Sequence, residues 1–390
     1  MPVAADRTTL EPPAPYCLPP RASTLMSAST ISALLAPHTP NGREEAWRFT
    51  PINKLRGLHQ SETETTSELH FVATLAGLAT CEELSPSDPR VAPSSHTTDA
   101  VAQNARIKAK FVSHIVVPRD EEITVPIRLT RNSPNGEVSL SRTVIEVGAH
   151  SRSTIILEHF GSGTLGEDLE IRVGDDADLT LISTQEWGDE GVHVATHAAL
   201  LQKDAHFTSI VVSLGGSVVR ISPTVEFLGQ GASCDLFGLY FATADQHLEH
   251  RLHVEHGQPN CRSRVTYKGA LSGFQARSVW IGDVAIRANA EGTDTYELNR
   301  NLLLSDGARA DSVPNLEIET GEIVGAGHAS ATGRFDDEQL FYLQSRGIPD
   351  VQARLLVVRG FFAELLTRIK DDTTRERLTS TIENDLGMAG

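Results

Sequence analysis

The residues with the greatest chemical versatility form a histidine-rich run at 246–256 (QHLEHRLHVEH). If this run is a β-strand, alternate residues share a face. One face then carries His247, Glu249, Arg251, His253 and Glu255, and the other carries His250, Leu252, Val254 and His256. Imidazoles and carboxylates on one surface could bind a transition metal. The alternative is a structural strand with a charge-alternating face in solvent and a half-buried second face. Because metal sites usually draw ligands from more than one strand, the run favours the structural interpretation.

A second candidate is His328, the one histidine after position 256, which lies among small residues at 324–333 (VGAGHASATG). Its imidazole would stand clear of bulky neighbours. Residue types alone leave both a structural role and a ligand role open. The cysteines show no CxxC pair, which fits a reducing compartment and argues against a disulfide framework or a four-thiolate cluster site. They are Cys17, Cys81, Cys234 and Cys261.

Several classes of protein are excluded by what the sequence lacks. It has no GxxxxGK[ST] phosphate loop, no GxSxG elbow and no HExxH helix, so an ATPase or an α/β-hydrolase is not expected. The formal net charge of −17 provides no basic surface for nucleic acid, and no Lys/Arg run could anchor the chain to a membrane. No secretory signal and no apolar run of about 18 residues is present. A cytoplasmic protein is therefore expected.

The elements that must position these residues are strands, from about 105 to 327. Short β-branched runs bounded by turn residues lie at Val144–Val147, Ser153–Leu157, Leu169–Val173, Leu179–Ser183 and Ser209–Leu214. Turn-like segments begin at Gly148, Gly174, Gln202, Gly229 and Gly257. A nearly constant spacing of roughly 27 residues, built from strand and turn units, predicts a β-solenoid. A β-sandwich with irregular turns is the alternative.

The two ends of the sequence differ from this core. Residues 1–40 are rich in Pro, Ser, Thr and Ala and predict a disordered or loosely ordered lead-in, with a modest helix near Leu25–Leu35. Residues 41–104 are interpreted as an N-terminal helical region with a linker at 85–95, and 105–334 as the β-helix core. Residues 335–390 predict a C-terminal helical domain: Asp336 or Asp337 can cap a first helix, and Pro349 begins a second. This tail could bind a partner or cap the open end of the solenoid.

Three blocks resemble the SufB/SufD family of iron–sulfur cluster assembly proteins. The first joins QHLEH at 246–250 to CRSRVTYKG at 261–269, and the second joins GTDTYELNRNLLL at 292–304 to ADSVPNLEI at 310–318. The third and most specific is HASATGRFDDEQLFYLQSRG at 328–347. The cluster EAWRFTP at 45–51 is similar to the N-terminal signature of the family. Together the blocks span most of the chain.

The resemblance implies a mainly β fold, a right-handed parallel β-helix with helical domains at both ends. It implies a non-catalytic scaffold subunit that pairs with SufB through its last strands and binds the SufC ATPase through the C-terminal helices, residues 335–390. It places His328 at the SufB interface, as a candidate ligand of iron or of a transient iron–sulfur cluster shared with SufB. No tightly bound cofactor, nucleic acid or membrane is expected, whereas a homodimer of the isolated chain is conceivable.

Within the family, the chain resembles the SufD branch rather than the SufB branch. It is short for SufB, and the strand Ser222–Glu226 lacks the cysteine that SufB uses to receive sulfur. The segment before the GRFDDEQ motif at 333–339 likewise offers a histidine, His328, and no cysteine. One departure is Ala326, which occupies a position where some relatives have cysteine. Any cluster must therefore take most of its sulfur ligands from a partner.

Functions from other classes also fit part of the pattern. A stand-alone metal-binding or structural β-solenoid would use the histidine run equally well. A β-helix enzyme that acts on polysaccharide would need clustered acids and bases on one face and would normally be secreted, so it is disfavoured.

Overall fold

The structure is a computed structural model that describes residues 39–335 and 337–388. This part of the chain contains eighteen strands, four α-helices and the short 3-10 helices Ile52–Lys54 and Pro89–Val91. The helices are α1 (Ala100–Lys108), α2 (Asp337–Ser345), α3 (Asp350–Leu366) and α4 (Asp372–Met388). The strands are β1 (Val72–Thr74), β2 (Thr80–Leu84), β3 (Val112–Val117), β4 (Ile127–Ser133), β5 (Val138–Val147), β6 (Arg152–Gly161), β7 (Thr164–Val173), β8 (Asp178–Trp187), β9 (Val192–Leu201), β10 (His206–Gly215), β11 (Val218–Phe227), β12 (Ser233–Ala242), β13 (His247–His256), β14 (Arg262–Leu271), β15 (Arg277–Ile286), β16 (Asp294–Leu303), β17 (Arg309–Ile318) and β18 (Gly325–Arg334).

The strands form a β-solenoid, which confirms the predicted fold class and rules out the β-sandwich. Two sheets of nine strands each run along the molecule, and from β3 to β18 odd-numbered strands lie in one sheet and even-numbered strands in the other. From β3 to β16, each strand therefore pairs in parallel with the strand one coil later. Arg152 pairs with Asp178 and Asp178 pairs with His206, so these register offsets match the predicted repeat. Arg262 pairs with Asp294, a larger offset, because the later turns are longer.

The predicted turns all connect an odd-numbered strand to the next even-numbered strand, on one side of the solenoid. Each turn holds a residue with a positive φ, such as Asp176 at 53°, Asp204 at 55° and Asn260 at 59°, a conformation that Asp and Asn tolerate. The backbone N–H of Asp176 donates to the Lys203 carbonyl at 2.9 Å, and that of Asp204 donates to the Gln230 carbonyl at 3.0 Å. Stacked turns thus bond one coil to the next, which explains the spacing of the repeat.

The strands are longer than the sequence predicts, because polar residues continue inside the solenoid. The five predicted runs lie within β5, β6, β7, β8 and β10, but each of these strands has ten residues. Glu167, Ser183 and Gln185 interrupt the apolar pattern and are nevertheless completely buried. Interior polar groups of this kind require partners within the core.

The N-terminal region contains more than helices. The strands β1 and β2 fall inside 41–104 and extend the two sheets by antiparallel pairing with β4 and β3. The predicted boundary at 104/105 falls within α1. Most of the predicted lead-in, including the helix near Leu25–Leu35, lies outside the described residues.

The C-terminal helices lie along the side of the solenoid. Val358, Phe362 and Leu365 of α3 pack against the outer face of the even-numbered sheet, where Ile182 and Leu239 lie. An ion pair between Lys268 Nζ and Glu364 Oε2 at 2.9 Å supports this contact. The sequence suggested that the tail either binds a partner or caps the open end of the solenoid. Because α3 and α4 lie along its side, they do not cap the end.

The predicted helix limits agree with the structure to within a residue or two. The helix α2 begins at Asp337 and ends before Gly347, whose φ is 84°. Pro349 precedes α3, as predicted, and Asp336 lies outside the described residues. Among the described residues, no helix has the length and apolar character needed to cross a membrane.

Candidate functional site

The last coil of the solenoid is open on one side. Within the described residues, β17 pairs only with β15 and β18 pairs only with β16. The other edge of each strand has unpaired backbone N–H and C=O groups, which can hydrogen-bond to a strand of another chain. Most side chains of both strands are exposed or half-buried, whereas those of the preceding coils are mostly buried. This end is therefore suited to pairing with another β-structure.

His328 lies on the inner face of β18, at this open end. Ala326 packs against the main core, and the Ser330 hydroxyl lies 2.7 Å from the Ser312 hydroxyl of β17, so the residue between them also faces inward. Its side chain is exposed because no further coil covers it. No hydrogen bond or ion pair joins the His328 imidazole to another described residue. The imidazole is thus available to a ligand or a partner.

Glu297 lies directly beneath His328, one coil further inside. The two residues are register partners in the pairing of β16 with β18. The Glu297 side chain is only 1% exposed, and neither carboxylate oxygen has a hydrogen-bond partner among the described residues. Burial, together with the negative charge of Asp283, raises the pKa of Glu297 to about 8.

The carboxylate occupies space that Gly282 of the opposite sheet leaves free. A Cβ at that position would lie 2.7 Å from Glu297 Oε1. Sequence reasoning missed Glu297 as a site residue. The polar alternation Thr295, Glu297, Asn299, Asn301 was the available signal for an unusual inner face.

A hydrogen-bonded polar network occupies the interior next to this carboxylate. The Tyr240 hydroxyl donates to Asn301 Oδ1 at 2.6 Å, and Asn301 Nδ2 donates to Asn299 Oδ1 at 2.8 Å. The Ser312 hydroxyl also donates to Asn299 Oδ1, at 2.8 Å, and adjoins Ser330. Paired amides and hydroxyls therefore extend from the core to the open end, next to His328.

The described cysteines do not lie in the last coils. Cys81, Cys234 and Cys261 belong to β2, β12 and the turn before β14, and Cys17 lies outside the described residues. Burial raises the pKa of the Cys261 thiol to about 11 and that of the Cys234 thiol still further. Protonated thiols are poor metal ligands. The open end thus offers imidazole and carboxylate groups but no thiolate of its own.

The histidine run is more deeply buried than predicted, and none of its residues belongs to a group of three potential metal ligands among the described residues. His250 and His256 lie inside the solenoid, where burial lowers the pKa of His250 to about 3 and that of His256 to about 4. Their Nε2 atoms lie 3.0 Å from the Ser213 hydroxyl and 2.9 Å from the Ser263 hydroxyl. The second face was predicted to be half-buried, and this was wrong because the next coils enclose it.

The other face of the run is partly covered by the N-terminal segment. The Thr50 hydroxyl donates to Glu249, and the Trp47 ring stacks on the Arg220 guanidinium 4.2 Å away. Burial alone would raise the pKa of Glu249, but the hydrogen bond with His247 and the charge of Arg220 lower it to about 2. The prediction of a solvated face was therefore wrong for His247 and Glu249. The EAWRFTP segment therefore has a structural role, because its Trp47 and Thr50 side chains contact residues of the solenoid that are distant in sequence.

Comparison with known proteins identifies the family. The family model described as "SUF system FeS cluster assembly, SufBD core domain" matches residues 129–361, which begin within β4 and include β5–β18 and most of α3. This chain belongs to the SufBD family of iron–sulfur cluster assembly proteins. The match includes both His328 and Glu297.

Individual relatives agree with this assignment. An iron–sulfur cluster assembly SufBD family protein of Mycobacterium tuberculosis (strain ATCC 25618 / H37Rv) is 47% identical over 369 residues, 93% of this chain and 92% of the relative. A Mycobacterium leprae protein of the same description is 48% identical over 355 residues, 89% of this chain and 90% of the relative. SufD of Escherichia coli is 29% identical over 297 residues, 74% of this chain and 68% of that protein. The SufBD resemblance predicted from the motifs is confirmed.

Proposed function

We propose that this chain is a non-catalytic scaffold subunit of a cytoplasmic SufBCD-type complex. In this proposal it pairs with a SufB-type subunit through β17 and β18 and binds a SufC-type ATPase through its C-terminal helices. A nascent iron–sulfur cluster, the cargo of the complex, forms between the two β-solenoids. His328 supplies a ligand from this side.

The observation that carries the proposal is the position of His328. It is an exposed imidazole on an inner-facing position, next to two strand edges that are free to pair. A neutral imidazole is a suitable ligand for ferrous iron. Because the last coils have no thiolate, the sulfur ligands must come from the partner. Mixed imidazole and thiolate ligation would leave the cluster labile enough to be transferred.

Binding of an ATPase is supported by apolar side chains on the C-terminal helices. Phe341 and Tyr342 of α2 are 72% and 56% exposed, and Val351 and Leu356 of α3 are 53% and 48% exposed. The opposite side of α3 is buried against the solenoid, so these residues are not needed for its attachment. Exposed apolar groups of this size on neighbouring helices are typical of protein–protein contacts.

The test is the substitution His328→Ala in the complex co-expressed with its SufB-type and SufC-type partners. We expect the complex to assemble with an unchanged subunit ratio, while its iron and sulfide content and its transfer of clusters to an apoprotein fall. His150→Ala is the matched control, because His150 is also exposed but lies in the turn before β6, beside Asp176 at 3.2 Å.

Two outcomes would contradict the proposal. The first is unchanged cluster content and transfer in the His328→Ala complex. The second is failure of the wild-type chain to co-purify with either partner, as expected of a stand-alone metal-binding or structural solenoid.

A further inference from the structure

A cluster of three potential metal ligands lies inside the early coils, on strands other than those that form the open end. It consists of His159 of β6, Glu167 of β7 and His193 of β9, all with completely buried side chains. Their ligand atoms lie within 4.8 Å of one another. The Nε2 atoms of His159 and His193 lie 3.2 Å and 3.6 Å from Glu167 Oε2.

Both imidazoles are oriented by oxygen atoms of β8. His159 Nδ1 lies 3.3 Å from the Thr184 carbonyl oxygen, which can only accept a hydrogen bond. His193 Nδ1 lies 3.0 Å from Gln185 Oε1, which is also an acceptor. The proton of each ring therefore belongs on Nδ1, and the Nε2 lone pair of each ring is directed into the cluster. This arrangement is found around histidines that bind metals, where the second ring nitrogen donates to an oxygen.

No residue outside the cluster hydrogen-bonds to the three converging atoms, so the approaches of the two Nε2 atoms to Glu167 Oε2 are their only polar contacts among the described residues. With protons on both Nδ1 atoms, two nitrogen lone pairs and a carboxylate oxygen face each other where water has no access. Three acceptors in such a place repel one another unless a proton or a metal cation lies between them. Arg131 does not supply it, because its guanidinium pairs with the other carboxylate oxygen, Glu167 Oε1.

We propose that His159, Glu167 and His193 bind one divalent transition-metal ion, zinc or ferrous iron, inside the solenoid. Two imidazoles and one carboxylate form a ligand set that both ions accept. Arg131 weakens the attraction of the carboxylate for a cation, so the affinity depends mainly on the two imidazoles. The ion would link the coils formed by β6, β7 and β9 and act as a structural metal.

The burial of the site determines how the ion is loaded. A completely enclosed ion must bind while the coils assemble, and its binding free energy then contributes to folding. Chelators should therefore not remove it from the folded chain, but should trap the apo form when present during refolding. This site shares no residue with the open end that contains His328, so the two can be tested separately.

The experiment measures metal content in the full chain, expressed without a polyhistidine tag. The protein is analysed by elemental mass spectrometry as purified, and again after unfolding in urea and refolding with Zn²⁺, anaerobic Fe²⁺ or a chelator. We expect close to one ion per chain and a higher unfolding midpoint for the metal-loaded form. His159→Gln and His193→Gln should lower metal retention by about tenfold or more.

Two control variants distinguish this site from other histidines. His197→Gln is the matched control, because His197 is a buried residue of β9 with two unpartnered ring nitrogens but is not part of the ligand group. His328→Ala tests the open end. Both variants should keep the ion.

The wild-type measurement alone can overturn the inference, even if the cluster variants do not fold. Less than about a tenth of an ion per chain after both loading routes would show that protons alone occupy the cluster. Metal content that is lost in His197→Gln or His328→Ala, but kept in His193→Gln, would also overturn it. X-ray absorption of the loaded chain should show nitrogen and oxygen ligands, including imidazole, and a sulfur ligand would contradict the assignment.

Discussion

The buried carboxyl of Glu297 should make the stability of the isolated chain depend on pH in an unusual direction. Its pKa is raised from the ordinary 4.5 to about 8 in the folded protein, mainly by burial. Between these two values the folded state binds more protons than the unfolded state, so the free energy of unfolding decreases as pH rises. The penalty is absent below pH 4.5 and complete above about pH 8.

The substitution Glu297→Gln removes this ionisation while keeping the size of the side chain. Each pH unit above 4.5 costs about 1.4 kcal/mol, so two and a half units give a penalty of about 3.5 kcal/mol at pH 7. We therefore expect Glu297→Gln to be more stable than wild type by about 3.5 kcal/mol near pH 7, and equally stable near pH 4.5. The difference between the two chains should grow steadily in between.

The assay is urea unfolding of both chains at a series of pH values, followed by circular dichroism. Glu226→Gln is the matched control, because it makes the same change of side chain at an exposed position of β11. Subtraction of the two chains at each pH removes the contribution of all other titrating groups. A Glu297→Gln difference that is the same at low and neutral pH would refute the assignment of a buried, unpartnered carboxyl.

Two further substitutions test the packing. Gly238→Ala would place a Cβ within the Tyr267 ring, so we expect a loss of about 3 kcal/mol of stability. Gly333→Ala is its control, because no atom lies within 4 Å of the added Cβ, and it should cost less than about 0.5 kcal/mol. If thermal unfolding shows equal losses of stability for Gly238→Ala and Gly333→Ala, the packing around Gly238 is contradicted. Phe362→Ala should cost about 3–5 kcal/mol and expose α3 to proteolysis, since its ring is buried against the solenoid. Leu356→Ala, at an exposed position of α3, is its control and should have little effect.

Buried polar residues are what made parts of this solenoid difficult to predict. Sequence patterns identify a strand by apolar residues at alternate positions, and they end the strand at a glutamate or a glutamine. In this chain, Glu167 and Gln185 lie on inner faces, where Arg131 and His193 provide partners. Arg131 lies on β4, three strands before Glu167, and His193 lies on the strand that follows Gln185. These pairings depend on how the strands stack, so they could not be inferred from the pattern of either strand alone.

The sequence by itself determined the features that depend on neighbouring residues along the chain. The turn spacing predicted the solenoid, because each coil needs one turn residue that tolerates positive φ, such as Asp176 or Asn260. The helix limits around Gly347 and Pro349 follow from backbone preferences of single residues. The family motifs singled out His328, and its exposed position agrees with that choice, whereas its role as a ligand remains a prediction.

The tertiary structure alone decided which side chains are buried, and therefore which ones can do chemistry. Glu249 is buried because Thr50, from a distant part of the chain, lies over it. Glu297 and His328 lie next to each other because of the register between β16 and β18. The offset between these two residues in sequence is larger than the offset between the register partners Arg152 and Asp178. A strand pattern specifies which residues share a face. The lengths of the intervening turns specify which residues of successive coils lie next to each other. The burial of a side chain, its pKa and its geometry as a ligand all depend on those neighbours.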